Sequence, residues 1–266
     1  MFILVMTLFF LTATKPTGLP VAPPKTPEGL PSCTQVIKPS QSMPETIGET
    51  LRYLIDVDGL SIGTIDFKID KKGTYKQIPV IDYKSLFRLD PLVAAVIGIE
   101  GRAASLVALL DATPQKAMTR YKRSGKDDIS EDIEFTNRGA HAQSVRTKNR
   151  ETKNETRDFP DTAIDSLTAF YRMRVLPKDM KGCALIYIDQ KAYTMWVEAK
   201  GEEQIQTPVG LRLTDRYYAR YSFDQSKIIR EAWGWLSQTP ERVPYRAKIV
   251  GHYTLEARVH LYIPKE

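Results

Sequence analysis

The chain has 266 residues, 42% of them hydrophobic and 26% charged, with a formal net charge of +6 from 38 Lys and Arg against 32 Asp and Glu. That is ordinary globular composition, with enough apolar material for a core, and it excludes wholesale disorder. The positive excess is small and acidic residues are interspersed among the basic ones, so a solvated mixed-charge surface accounts for it and no nucleic-acid partner is expected.

Residues 2–13 form an apolar run of signal-peptide length, well short of the ~20 residues a membrane-spanning helix needs. Export is therefore expected, with 1–14 as a signal peptide and a periplasmic or cell-surface location. No Lys or Arg precedes the run and Thr12-Ala13-Thr14 is only a fair cleavage site, so an uncleaved anchor and a mis-assigned start are the alternatives. Residues 15–46 are crowded with proline, which removes amide donors and favours extended chain; they read as a tether. Cys33 and Cys183 are the only cysteines. An oxidising compartment would let them pair, closing a long loop for a nominal ~4 kcal/mol, but the sequence does not decide whether they do. The Pro-rich stretch between the apolar run and Cys33 argues against a lipidated cysteine.

From 47 to 266 a single β-rich domain is expected. Residues 48–70 read as a hairpin: Leu51, Tyr53, Ile55 and Val57 alternate, Asp58-Gly59 turns, and Ile65, Phe67 and Ile69 alternate on the return. Extended runs follow at 75–83, 116–123, 132–136 and 141–147. The apolar segment 86–110 fits buried strands or a short helix equally. Residues 148–158 are strongly charged and read as an exposed loop. A helix is predicted from Thr162, capped by Asp161 or Thr162, with Ile164, Leu167, Tyr171 and Val175 near one face before Pro177 ends it. Strands are then predicted at 184–190, 193–200, 204–207, 211–223, 228–236, 245–250 and 253–263. The fold class expected is mainly β: a large antiparallel curved sheet, open barrel or sandwich with one inserted short helix.

Three pieces carry a family resemblance: Gly48-Glu49-Thr50-Leu51-Arg52-Tyr53 with Gly59 and Gly63-Thr64; the helix sequence from Asp165 to Arg174; and Trp235-Leu236-Ser237 with Arg242-Val243-Pro244. In these the chain, over roughly 47–263, resembles the bacterial "domain of unknown function 3108" family of exported proteins. The resemblance implies an extracytoplasmic β-rich fold similar to the open barrels of lipoprotein-carrier proteins, and it implies no activity. Gln238-Thr239-Pro240-Glu241 departs from the family, whose members tend to carry an aspartate after the Trp-Leu-Ser piece.

No catalytic residue is singled out. Gly59-Leu60-Ser61-Ile62-Gly63 matches the G-x-S-x-G nucleophile elbow formally, but it joins two alternating strands rather than a strand and a helix. His141, His252 and His260 lack metal-ligand spacing and the cysteines form no Cys-x-x-Cys pair, so neither a metal nor another cofactor is expected. The candidate ligand-binding residues are Asp165, Tyr171, Arg172, Arg174, Tyr217, Tyr221, Trp233, Trp235 and Arg242. Asp165, Arg172 and Arg174 suit either the helix dipole or an anion; the late aromatics suit either a core or an apolar ligand, with equal parity placing Trp233 beside Trp235 and Tyr217 beside Tyr221. The leading functional expectation is non-enzymatic binding of a lipid or other amphipathic envelope molecule. The alternatives are a structural or assembly protein contacting other envelope proteins and a glycan-acting hydrolase.

Overall fold

The computed structural model describes residues 26, 28–38, 43–96, 98–123, 127–224 and 226–264; the expected signal peptide lies outside them. Among these residues fifteen strands form one sheet: β1 (Thr50–Val57), β2 (Leu60–Tyr75), β3 (Ile78–Leu89), β4 (Ile99–Ala108), β5 (Pro114–Arg123), β6 (Asp127–Thr136), β7 (His141–Lys148), β8 (Glu151–Asp158), β9 (Ala163–Ile164), β10 (Lys181–Ile188), β11 (Lys191–Thr207), β12 (Gly210–Phe223), β13 (Arg230–Ser237), β14 (Pro244–Val250) and β15 (Thr254–Ile263). The helices are α1 (Pro91–Val96) and α2 (Ser166–Met173). The mainly β expectation, with a curved antiparallel sheet and one substantial helix, is met.

Strand order is β8-β7-β6-β5-β4-β3-β2-β1-β15-β14-β13-β12-β11-β10-β9. Every pairing is antiparallel except β9 with β10. β1 joins β15, so the first and last strands lie mid-sheet and the edges are β8 and β9. Laid flat, fifteen strands would span roughly 65 Å at the usual interstrand spacing. Yet the two edges are consecutive in sequence, from Asp158 to Ala163, a step that extended chain covers in at most about 18 Å. Connectivity alone forces the sheet to roll.

The roll goes past closure. Alternation along β10 sends Ile186 and Ile188 to the concave face, into the core around α2, and Leu185 and Tyr187 to the convex face. The second set is buried too, against Ala117, Ile133, Phe135 and Ala142 from the concave faces of β5, β6 and β7. The β9–β10 edge is thus tucked inside the other end of the sheet. Gly139, with φ +86, lies in the β6–β7 turn where an added Cβ would stand 2.7 Å from the carbonyl of Ala163, so only glycine permits this approach.

Side chains hold the overlap where no backbone ladder does. The β10–β11 turn residues Asp189 and Gln190 have φ of 56° and 54°, the left-handed pair a two-residue hairpin turn needs. Their amides donate to Glu131 on the concave face of β6 (2.6 and 2.9 Å), which also accepts from Ser144 Oγ (2.7 Å). Arg146 pairs with Asp189 (2.6 Å) and Arg157 with Asp224 (2.6 Å), while Tyr187 donates to Glu155 (3.1 Å). Burial, with the charge of Asp189 adding to it, pushes the Glu131 carboxyl up to about 7 against these hydrogen bonds.

Several local expectations are corrected. Residues 151–158 form edge strand β8, not a loop; their charges are those of a strand guarded against further pairing. Residues 86–110 contain two strand segments and α1 between them. The predicted helix starts at Ser166 with Asp165 as its cap, because Ala163 and Ile164 are drawn into pairing with β10. Part of the Pro-rich tether is built into the fold: Val36 bridges Cys183, Ile37 N donates to the Cys183 carbonyl (2.8 Å) and Cys183 N to that of Gln35 (2.9 Å). Cys33 and Cys183 form a disulfide, with Cα atoms 5.5 Å apart. Gly182 leaves room for this strap, since a Cβ there would meet the Gln35 carbonyl at 2.9 Å.

Candidate functional site

α2 lies inside the roll and packs unevenly. Its cap is complete: Asp165 accepts from the amides of Leu167 (2.9 Å) and Thr168 (3.1 Å) and from the hydroxyls of Thr168 (2.5 Å) and Ser105 (2.7 Å). On one side Phe170 stacks on Phe67 with centroids 4.0 Å apart, and Tyr171 on Tyr83 at 3.9 Å, filling the space above β2 and β3. On the other side the helix faces Ala184, Ala219, Ala232 and Gly234 on β10, β12 and β13. These side chains are too short to reach it, and a cavity remains. It encloses about 90 Å³ within about 780 Å³ that includes the mouth open to solvent.

The cavity is apolar. Ala169, Met173 and Leu176 line it from the helix side, spaced to share one face; Met195 and Val197 line it from β11, and Ile37 of the strap and Ile164 of β9 close its edge. Among the described residues Arg172 is the one charged residue in the lining. It is 9% exposed, hydrogen bonds through Nη2 to the Ala112 carbonyl in the β4–β5 turn (2.8 Å), and leaves Nε buried without a partner. Among the described residues no carboxylate lies within ion-pair distance of it. Burial pulls the guanidinium down to about 10. An unpartnered buried donor costs about 1–3 kcal/mol, more for a charged group, so a ligand able to accept from it would recover that energy. A wider depression beside α1, bordered by Arg88, Glu100 and Lys122, is open to solvent and contains no buried polar group.

Of the residues singled out from sequence, the structure brings Arg172, Tyr217 and Trp233 to the cavity. Tyr217 presents its ring there while its hydroxyl donates to the Pro177 carbonyl (3.0 Å) and accepts from Arg242 (2.7 Å). The others lie away from it. Asp165 is the saturated cap described above. Tyr171 is fully buried on the far side of α2. Arg174 forms a bidentate pair with Glu49 (2.9 Å through Nη2) and donates to the Glu241 carbonyl at 2.8 and 3.0 Å. Arg242 pairs with Asp215 and reaches the Leu176 carbonyl (3.2 Å). Tyr221 lies in the core on the concave face.

The late aromatics divide between the two faces of the sheet. Register pairs Tyr217 with Gly234 and Tyr218 with Trp233, so Tyr217 and Tyr221 point inward and Trp233 and Trp235 outward. Trp233 packs against Tyr218 (4.6 Å) under Arg216, bordering the cavity from its main-chain side, and Trp235 donates to Glu203 (3.0 Å) beneath Arg246. What sequence reasoning missed was the wall of small residues. Its signal was present as Ala219 between Tyr217 and Tyr221, and as Ala232 and Gly234 at period two.

One antiparallel sheet rolled around a helix, with an apolar cavity beneath that helix, defines a β-barrel-like protein. The crystal structure of a β-barrel-like protein of domain of unknown function DUF1849 from Brucella abortus is similar, at 8% identity over 84% of this chain and 99% of that one, with a TM-score of 0.55; at that identity the likeness is one of fold. The chain itself belongs to the family described as "Protein of unknown function (DUF3108)", whose model matches residues 52–258. A candidate exported protein with a YmcC-like fold from Bacteroides fragilis overlaps more loosely, at 9% identity over 84% of this chain and 98% of that one, TM-score 0.38. So does a candidate lipoprotein from Parabacteroides distasonis, at 11% identity over 84% and 99%, TM-score 0.37. No curated protein matches the chain.

Proposed function

We propose that this is an exported, non-enzymatic protein of the periplasm or cell surface that holds the apolar part of an amphipathic envelope molecule in the cavity under α2. The observation that carries this reading is the cavity itself: an interior space left open by four small residues and walled by methionine, leucine, isoleucine and valine side chains, the lining expected of an apolar-ligand site. The apolar run at 2–13 and a disulfide, a bond of oxidising compartments, support the location. A glycan hydrolase needs two carboxylates facing across a cleft, and among the described residues no Asp or Glu lines this cavity.

Native mass spectrometry of gently purified protein, with lipid extraction, tests the proposal. The expected result is a co-purifying or exchangeable amphiphile that disappears in Ala219→Leu, a substitution that fills the cavity at a cost of roughly 1–3 kcal/mol and leaves the fold intact by circular dichroism. Wild-type protein that neither carries nor takes up an amphiphile sinks it. A second reading, assembly with other envelope proteins, has the exposed edge β8 in its favour; a specific crosslinked protein partner lost on replacing residues 151–156 would favour it instead.

A further inference from the structure

Resting on that reading, we infer that Arg172 is an anion anchor and that the ligand is a single-chain carboxylate, a long-chain fatty acid, whose head group meets the guanidinium while its chain lies along the apolar wall. A cavity lined by alanine, methionine, leucine and isoleucine is the costliest place to leave a cation unpaired, yet Arg172 borders it with one backbone acceptor and a buried Nε–H that donates to nothing. The other buried arginines around α2 are neutralised, Arg174 by Glu49 and Arg242 by Asp215.

Three carboxylates bear on Arg172 from beyond ion-pair distance, Asp165, Asp111 and Asp161, and each is engaged elsewhere. Asp165 caps α2; Asp111 accepts from the amide (3.1 Å) and hydroxyl (2.7 Å) of Thr113; Asp161 accepts from the amide of Thr162 (2.6 Å). They set the charge the site can take. One guanidinium balances one carboxylate, and its planar donors match carboxylate geometry. A phosphate monoester would bring a second negative charge to a guanidinium on which three carboxylates already act. A neutral head group would leave the Nε–H unpaired.

The test compares radiolabelled palmitate with hexadecanol, which has the same chain and no charge, on the delipidated full chain below the aggregation concentration of either. Wild type is expected to bind palmitate about tenfold or more tightly than hexadecanol, the increment of a charge-assisted hydrogen bond. Arg172→Met should lower palmitate affinity to that of hexadecanol and leave hexadecanol unchanged; Arg172→Lys, which keeps the charge and guards against misfolding of the first variant, should retain a smaller preference. Equal affinities in wild type, a preference that survives in Arg172→Met, or hexadecyl phosphate binding more tightly than palmitate overturns the carboxylate anchor and leaves the cavity proposal standing. Binding of none of the three overturns both.

Discussion

Glu131 shows how a buried acid can set the pH response of this fold. Its carboxyl is pushed up to about 7 by burial, above the ordinary unfolded value of about 4.3. Between those values the folded protein holds a proton that the unfolded chain has released, so this group's contribution to stability falls as pH rises from about 4.5 to about 7 and is level above that. Wild-type melting temperature should therefore drop more between pH 5 and pH 8 than that of Glu131→Gln, which cannot titrate. Parallel melting curves across that range would show that the overlap does not sense this proton. The site was legible at this scale only in part. Arg172 and Tyr217 stood out because charged and aromatic residues do so in any sequence, whereas Ala219, Ala232 and Gly234, whose missing atoms make the cavity, are unremarkable until the element opposite them is known. Arg174 and Arg242 looked like Arg172 in the sequence; only their buried partners, Glu49 and Asp215, tell them apart.

Among the elements, α2 depends on its first residue more than its eight-residue length would suggest. An isolated helix that short is marginal in water, and this one is held by its cap and by ring stacking on β2 and β3. Asp165→Ala removes four hydrogen bonds at once and leaves the hydroxyls of Ser105 and Thr168 with only each other (3.1 Å). The expected loss is about 2 kcal/mol in urea unfolding, with Asp165→Asn retaining most of it; a loss near zero would mean that packing alone seats the helix. Period-two alternation made most strands readable, and the Leu51–Val57 hairpin arm is β1 almost to the residue. It failed at β8, where an edge strand needs no apolar face and carries charges instead, and at β9, where pairing with β10 overrode a plausible helix start.

For the molecule as a whole, the disulfide joins the N-terminal strap to the strand that forms the inner end of the roll, across a sequence separation of 150. In the chain-entropy model a loop of that length is worth about 5 kcal/mol, and natural disulfides contribute roughly 2–5. Dithiothreitol should lower the wild-type denaturation midpoint to that of the Cys33→Ser/Cys183→Ser double variant and leave the variant's own midpoint unmoved. A wild type indifferent to reductant would remove the strap from the stability account. By itself the amino-acid sequence determined that this chain is mainly β, where most strands run and where the helix falls, because apolar periodicity and cap chemistry are local and are read along the chain. The tertiary structure decided which faces meet: that β10 is buried on both sides, that the tyrosines and tryptophans of β12 and β13 part company, and that Arg172 alone borders an apolar cavity without a charged partner. Those outcomes depend on how far the sheet rolls, which is set by contacts between segments distant in the sequence, such as Glu131 with Asp189 and Arg157 with Asp224, and leaves no periodic trace in any one segment.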